Sequence, residues 1–200
     1  MKLHFESNQE YQLQAIQSIV DVFEGQPLNA GDYEFSLEAT NTSLQFTEYG
    51  VGNAIRLTSI EVLENIRKIQ KRNGIPESKE LDGMNFSVEM ETGTGKTYVY
   101  LRTIYELNKT YGFKKFIIVV PSIAIREGVL KNLQITHEHF QNLYNRIPLT
   151  YNVYDSKNVS LLRGFASGNT IQVLVINIDS FAKDENIINK ANDKLTGKRP

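Results

Sequence analysis

Apolar residues recur at two spacings along this chain of 200 residues, and the two spacings predict helices that alternate with strands. Apolar positions three or four residues apart between 16 and 23, 62 and 69, and 98 and 105 predict amphipathic helices. Continuous apolar runs at 116–120 and 171–176 predict strands that are buried on both faces. This order favours an α/β fold with a mostly parallel sheet, and such sheets bind their ligands at the carboxyl ends of the strands.

Several boundaries are also predicted. Ser7 to Glu10 and Thr58 to Glu61 have the spacing of capping boxes, so a helix is expected to begin at each. Residues 123–133 and 136–145 are expected to form two further helices, and 149–154 another strand. Short alternating pieces within 28–57 suit a small β-hairpin or an elaborated loop. The polar residues from 181 to 200 are expected to be a loop or a cut end.

The stretch Glu89-Met90-Glu91-Thr92-Gly93-Thr94-Gly95-Lys96-Thr97 has the composition of a phosphate-binding loop. A strand is predicted before it at 86–90, and a helix directly after it. Gly93 and Gly95 allow backbone N–H groups to surround a phosphate, and the new helix directs its positive end to the same point. Lys96 supplies charge for the terminal phosphates, and the Thr97 hydroxyl is a ligand for Mg²⁺. The structural alternative is a glycine-rich turn with a solvent-facing lysine.

Composition narrows the function classes. The chain has 22 basic and 23 acidic residues and a net charge of −1, so a nucleic-acid contact must come from a local patch. The absence of cysteine excludes disulfides, thiol nucleophiles and cysteine-bound zinc, and it suits a cytoplasmic protein. No signal peptide or membrane span is predicted.

Two other groups of polar residues suggest sites less strongly. Four basic residues near the end of the helix after Thr58 suggest either a DNA patch or a solvated helix end: Arg67, Lys68, Lys71 and Arg72. His137 and His139 flank Glu138, but side chains two positions apart on a helix do not share a face, which favours surface histidines over a metal site.

Three elements follow one another in a diagnostic order: Tyr11-Gln12 with Ala15-Ile16, then Glu91 to Thr97, then Val119-Val120-Pro121-Ser122. This order resembles the first lobe of superfamily 2 helicases and translocases, a three-layer P-loop NTPase lobe of recombinase-like fold. Residues 90–97, 105–109 and 116–128 look more narrowly like the helicase-like restriction subunit of type III restriction–modification enzymes. Met90 departs from the strict P-loop pattern, which has glycine at that position.

The resemblance implies roles for particular residues. Gln12 would read the adenine edge, whereas Gln12 in isolation is expected to be a surface glutamine and Tyr11 a core aromatic residue. Thr92, Gly93, Thr94, Gly95, Lys96 and Thr97 would hold ATP, with Lys96 acting in catalysis and Thr97 binding Mg²⁺. Pro121 and Ser122 would contact the DNA backbone, although a proline that ends a strand and a serine that caps a helix explain the same residues. The implied partners are double-stranded DNA and a methyltransferase subunit.

The acidic Asp-Glu pair that such motors require for Mg²⁺ is not evident. Asp179 follows a predicted strand but is followed by Ser180, and Asp184-Glu185 lies in a polar segment. We therefore expect residues 1–200 to be the N-terminal part of the first lobe, with an inserted segment at about 28–84, ending before that motif. Two rival hypotheses stay open: a P-loop phosphotransferase that acts on a small molecule, and a non-catalytic nucleotide-gated binding module.

Overall fold

A computed structural model describes residues 5–28, 35–40, 43–48, 52–156 and 160–182 of the chain. Within these residues the helices are α1 (Glu10–Asp21), α2 (Ser59–Arg72), α3 (Lys96–Tyr111), α4 (Ile123–Leu143) and α5 (Ser160–Ser167). The strands are β1 (Phe35–Thr40), β2 (Ser43–Glu48), β3 (Lys115–Val120), β4 (Leu149–Val153) and β5 (Ile171–Asn177). A short 3₁₀ helix, Ile178–Phe181, follows β5.

Strands β3, β5 and β4 form a parallel sheet in that order, with β5 in the centre. Ile118 is opposite Val175, and Tyr151 is opposite Val173. Six of the seven residues of β5 are buried, as expected for a parallel strand with helices on both faces. The parallel sheet with its helices confirms the predicted α/β fold.

Helix α3 is the element on which α1 and α4 pack, because it presents apolar residues to both. One face, which includes Leu101 and Ile104, packs with α4 and with β5 in one apolar cluster. Another face, which includes Val99 and Leu107, packs against Ile16 and Val20 of α1. Nine of its sixteen residues are buried. The helix that begins at the glycine-rich loop is therefore held rigidly between the sheet and α1.

One predicted feature of β3 is wrong. Residues 116, 118 and 120 face the apolar cluster, but Ile117 and Val119 are 56% and 48% exposed. The run is continuously apolar, as in a strand covered on both faces, yet no described helix covers this second face of β3. The prediction that both faces of the strand are covered is therefore confirmed for β5 and wrong for β3.

The predicted strand at 86–90 does not form. Residues 85–91 have no regular secondary structure, and Phe86 and Val88 are 38% and 47% exposed. A strand is stable only when its backbone groups pair with a neighbouring strand. None of the described strands pairs with this segment. The loop after it is consequently held by its own hydrogen bonds and by α3.

The helix boundaries agree with the predicted signals in some places only. At α2 the capping box is complete: Glu61 N donates to Thr58 Oγ1 at 3.3 Å, and Thr58 N donates to a Glu61 carboxylate oxygen at 2.8 Å. At α1 the predicted box is wrong, because Gln9 is the N-cap and it makes no side-chain cap bond. The two helices predicted between 123 and 145 are one continuous helix, α4.

The predicted inserted segment contains the antiparallel hairpin of β1 and β2, in which Phe35 pairs with Glu48 and Thr40 with Ser43. After it, the Asn53 side chain joins the start of β3. Its Oδ1 accepts from Lys114 N and Lys115 N at 2.8 and 3.0 Å, and its Nδ2 donates to Lys115 O at 2.6 Å. Whether 28–84 is an insertion in the evolutionary sense stays a prediction. Among the described residues, no helix is long and apolar enough to cross a membrane.

Candidate nucleotide-binding site

The glycine-rich loop reaches α3 through two left-handed residues. Gly93 has φ +83° and Gly95 has φ +84°, a region that residues with a Cβ rarely adopt. Gly95 is the N-cap of α3, so Lys96 and Thr97 are the first two residues of the helix. Their backbone N–H groups lie at the positive end of the helix, where anions are stabilised. The predicted turn from loop to helix is therefore present.

Two side chains of the loop bind one of its own carbonyl groups. Thr94 Oγ1 donates to Glu91 O at 2.7 Å, and Lys96 Nζ donates to the same oxygen at 2.6 Å. The lysine is exposed at the surface of the loop. The bond from the ammonium group to Glu91 O is charge-assisted on the donor side only, whereas a phosphate at Lys96 would bring the opposite charge as well.

Gln12 of α1 contacts this loop across 82 positions of sequence. Its Nε2 donates to Thr94 O at 3.0 Å, and the residue is only 7% exposed. Tyr11, by contrast, is 48% exposed. The expectation from α1 alone, with Gln12 at the surface and Tyr11 in the core, is therefore reversed, because α1 turns the glutamine toward the loop. A Cβ at Gly95 would lie 2.6 Å from Gln12 Nε2, so a larger residue there would displace the glutamine amide.

A cleft of about 680 Å³ lies between α1 and the loop. Ligand pockets generally have volumes of roughly 300–1,000 Å³. One wall comes from residues before and within α1, the other from the loop and the start of α3; the lining residues are Phe5, Glu6, Gln9, Gln12, Thr92, Gly93, Gly95, Lys96, Thr97, Tyr98 and Asn132. Five predicted loop residues and Gln12 thus meet at one cleft, and Thr94 is joined to it through Gln12.

The sequence pattern did not identify the aromatic residues of this cleft. The Phe5 ring stacks on Tyr98 at a centroid distance of 6.1 Å and contacts His139 at 5.3 Å. The Tyr98 hydroxyl lies 2.9 Å from His139 Nε2, and burial raises the pKa of Tyr98. His137 is exposed as predicted, whereas His139 is half-buried in this aromatic group. Among the described residues there is no cluster that could hold a metal ion through histidine and carboxylate ligands.

Pro121 and Ser122 lie where β3 ends and α4 begins. Ser122 is the N-cap of α4, and its hydroxyl accepts from Ile125 N at 3.3 Å. Pro121 is exposed. This arrangement satisfies the structural explanation of the pair, and it also leaves both residues at the carboxyl end of the sheet. Their contact with DNA stays a prediction.

The candidate acidic residues do not reach the loop within the described part of the chain. Asp179 lies in the 3₁₀ helix and lines a separate cleft of about 280 Å³ with Tyr154, Asp155, Ser156 and Ser180. Asp184 and Glu185 lie outside the described residues. Asp179 and Thr97 therefore line different clefts.

Three of the four basic residues at the end of α2 are used within the fold. Arg67 donates to Ser78 O and Lys79 O, each at 2.9 Å. Lys68 pairs with Glu24 at 3.3 Å, and Arg72 pairs with Asp21 at 2.6 Å. These contacts connect α2 to α1 and to the segment after α2. They favour the structural explanation of this cluster over a DNA patch.

The chain belongs to the family of type III restriction enzyme Res subunits, because the model described as "Type III restriction enzyme, res subunit" matches residues 7–199. The EcoPI Res subunit of Escherichia phage P1 is 36% identical over 159 residues, which are 77% of this chain and 15% of that protein. The EcoP15I Res subunit of Escherichia coli is 41% identical over 109 residues, which are 52% of this chain and 11% of that protein. The StyLTI Res subunit of Salmonella typhimurium is 40% identical over 113 residues, which are 48% of this chain and 11% of that protein. The resemblance that the motifs indicated is confirmed, and the chain spans a small part of the length of these relatives.

Proposed function

We propose that this chain is the ATP-binding lobe of a DNA translocase within a type III restriction endonuclease. The observation that carries the proposal is the contact of Gln12 with the carbonyl of Thr94. It places a buried amide, which is suited to reading a base, directly against a loop that is suited to holding phosphates. A glycine-rich turn without a ligand would not require a buried glutamine from a distant helix.

The loop fits the phosphates of a nucleotide. A Cβ at Gly93 would meet nothing within 4 Å, so the backbone there borders open space on the cleft side of the loop. Lys96 and Thr97 begin α3 at this point, and the helix favours an anion. In the proposal, Gly93 to Thr97 hold the phosphates and the Thr97 hydroxyl is a ligand of Mg²⁺.

Gln12 fits the adenine edge. A primary amide has two N–H donors and an acceptor oxygen, and one donor is bound to Thr94. The second donor and the oxygen match the acceptor and donor that adenine presents side by side. Guanine presents a different pattern, so selectivity for ATP over GTP is the expected consequence.

The activity of the whole protein follows from this lobe as part of the same proposal. ATP hydrolysis would be coupled to movement along double-stranded DNA, and cleavage would require further parts of the protein. Pro121 and Ser122 would contact the DNA backbone at the carboxyl end of β3. A methyltransferase subunit would be the protein partner, since the relatives are subunits of restriction-modification enzymes.

The test compares binding of MgATP and MgGTP to the wild type, Lys96→Ala and Gln12→Ala, together with phosphate release with and without DNA. We expect Lys96→Ala to weaken the binding of both nucleotides strongly. Gln12→Ala should weaken the binding of ATP selectively, by roughly tenfold for the loss of one or two hydrogen bonds. DNA should accelerate phosphate release by the full-length protein.

Equal binding of ATP and GTP by the wild type would contradict the role of Gln12 and would favour a P-loop phosphotransferase. Phosphate release that ignores DNA would contradict the translocase. Nucleotide binding without any turnover by the full-length protein would leave a nucleotide-gated binding module as the better description.

A further inference from the structure

Arg102 is a buried arginine with no place in the proposed phosphate site. It lies in α3 six positions after Lys96, which corresponds to about 9 Å along the helix axis, and it is 8% exposed. It is absent from the lining of the cleft. A charged side chain that is buried so deeply must be well paired, so its partners indicate its role.

The partners of Arg102 come from three parts of the chain: the segment before α1, α3 itself and the end of α4. Its Nη1 donates to Ser7 O at 2.5 Å, across 95 positions of sequence. Its Nε donates to the Tyr144 hydroxyl at 3.1 Å and lies 3.9 Å from a carboxylate oxygen of Glu106. Tyr144 in turn donates to that carboxylate at 2.6 Å. Tyr144 and Glu106 thus fix the guanidinium on one side, and the guanidinium holds Ser7 on the other.

Ser7 belongs to the N-terminal strap, which we define as residues 5–9. The strap forms the wall of the cleft that leads into α1 and Gln12, with Phe5, Glu6 and Gln9 in the lining. Its side-chain hydrogen bonds in the described part of the chain are local: Ser7 donates to Asn8, Asn8 N donates to Glu6, and the Tyr11 hydroxyl donates to Gln9. The Phe5 ring contacts Tyr98 and His139, the Gln9 carbonyl accepts from the first turn of α1, and the bond from Arg102 holds the middle of the strap at Ser7.

We propose that Arg102 is a positioning residue that holds the N-terminal strap, and thereby Gln12, in place to select the base of the nucleotide. The inference rests on the proposed function, because it deepens the role of the same cleft. Without Arg102 the strap would sample many conformations, and base binding would have to order it. That ordering cost would weaken binding of the base, which contacts the strap, and would leave binding of the phosphates to the loop unchanged.

The test uses three ligands with the purified full-length protein: MgATP, MgGTP and magnesium tripolyphosphate, which has the phosphates without a base. The variants are Arg102→Met, Arg102→Lys and Tyr144→Phe. Leu162→Ala is the matched control, since Leu162 is buried in α5, which packs against β5 and does not line the cleft. Thermal unfolding of each variant shows how much general stability has been lost.

We expect Arg102→Met to weaken ATP binding about tenfold and to remove the preference for ATP over GTP, while the affinity for tripolyphosphate changes less than about twofold. Arg102→Lys, which retains a donor for Ser7, should recover part of the preference. Tyr144→Phe should lower it less than Arg102→Met, because the bond to Ser7 is retained. Leu162→Ala should lower the unfolding temperature without changing the preference. If Arg102→Met does not fold, the lysine and phenylalanine variants carry the same test.

Two results would overturn the inference, and they have different consequences for the proposed function. If the wild type selects ATP and the Arg102 variants select it equally well, or lose ATP and tripolyphosphate in parallel, Arg102 is a structural residue only and the proposed function stands. If the wild type does not distinguish ATP from GTP, base reading at Gln12 is wrong, and the role of the strap in selectivity is wrong with it.

Discussion

Replacing Gly95 with alanine is expected to destabilise the protein more than replacing Gly93 does. The two glycines have nearly the same backbone conformation, with φ +84° and +83°. An alanine in this left-handed region costs about 1–2 kcal/mol at either position. Their surroundings differ: a Cβ at Gly93 meets nothing within 4 Å, whereas a Cβ at Gly95 lies 2.6 Å from Gln12 Nε2. Gly93→Ala therefore measures the backbone cost alone.

The additional cost at Gly95 follows from the glutamine. The amide is the end of a flexible side chain, so it moves away while the backbone of the loop stays in place. This movement breaks its 3.0 Å bond to Thr94 O, and because Gln12 is 7% exposed the amide does not reach bulk water. Leaving buried polar groups unpaired costs about 1–3 kcal/mol. We expect an extra loss near the middle of that range, or an unfolding temperature lower by roughly 4–8 °C than that of Gly93→Ala.

The assay is urea and thermal unfolding without nucleotide, in a double-mutant cycle with Gln12→Ala. In that background the side chain that the new methyl group displaces is gone, so Gly95→Ala and Gly93→Ala should cost the same. A difference between the two alanines that is unchanged by Gln12→Ala would refute the contact between Gln12 and the loop as its cause. Equal costs in the wild-type background would refute the reasoning as well.

Three further perturbations test other parts of the structure. Ser122→Asp should keep the N-cap of α4 and the unfolding temperature, but its charge should weaken DNA binding; Ser122→Ala should cost about 1 kcal/mol in unfolding free energy. Asn53→Ala should cost about 1–3 kcal/mol in urea unfolding, because it leaves backbone groups at the start of β3 without partners. Bonds to Thr58 lower the pKa of Glu61 below 4.5, so the stability that Glu61 contributes is present above that pH and is lost as the pH falls through the lowered pKa. Glu61→Gln should therefore lower the unfolding temperature at neutral pH, and the difference from the wild type should diminish as the pH falls through the lowered pKa of Glu61.

The parts of the fold that the sequence predicted best are those determined by local interactions. The box from Thr58 to Glu61 forms as expected, since both of its bonds connect residues three apart. Helix α3 has its predicted apolar face, and the central strand β5 is buried on both faces. The two glycines of the loop have positive φ values, a conformation that glycine adopts readily.

The errors concern features that depend on distant residues. The apolar pattern at 86–90 suits a strand, but a strand requires a partner, and none of the described strands supplies one. The box from Ser7 to Glu10 has the correct spacing, yet Arg102 holds the carbonyl of Ser7 and the helix begins at Glu10. The break expected within α4 was also wrong. No tertiary contact is visible in a pattern of residues three or four apart.

Gln12 shows what a pattern omits and a family resemblance supplies. A glutamine considered by itself is expected at the surface, and the structure buries Gln12 against Thr94, on the face of α1 that carries Ile16 and Val20. Its partner is a backbone carbonyl, which has no signature in the side chains of the loop. The resemblance assigned Gln12 to the nucleotide, and the cleft that it lines with Lys96 is consistent with that assignment.

Recognition of the base and of the phosphates is expected to be coupled, because both depend on the backbone between Glu91 and Gly95. Gln12 holds the carbonyl of Thr94, and Lys96 and the Thr94 hydroxyl hold the carbonyl of Glu91. A phosphate that draws Lys96 away from Glu91 removes one of the two bonds that fix that end of the loop. The other end is then held by Gln12, so a base that orients Gln12 also steadies the loop around the phosphates. The binding free energies of adenosine and of tripolyphosphate should therefore not sum to that of ATP, and Gln12→Ala should reduce the difference.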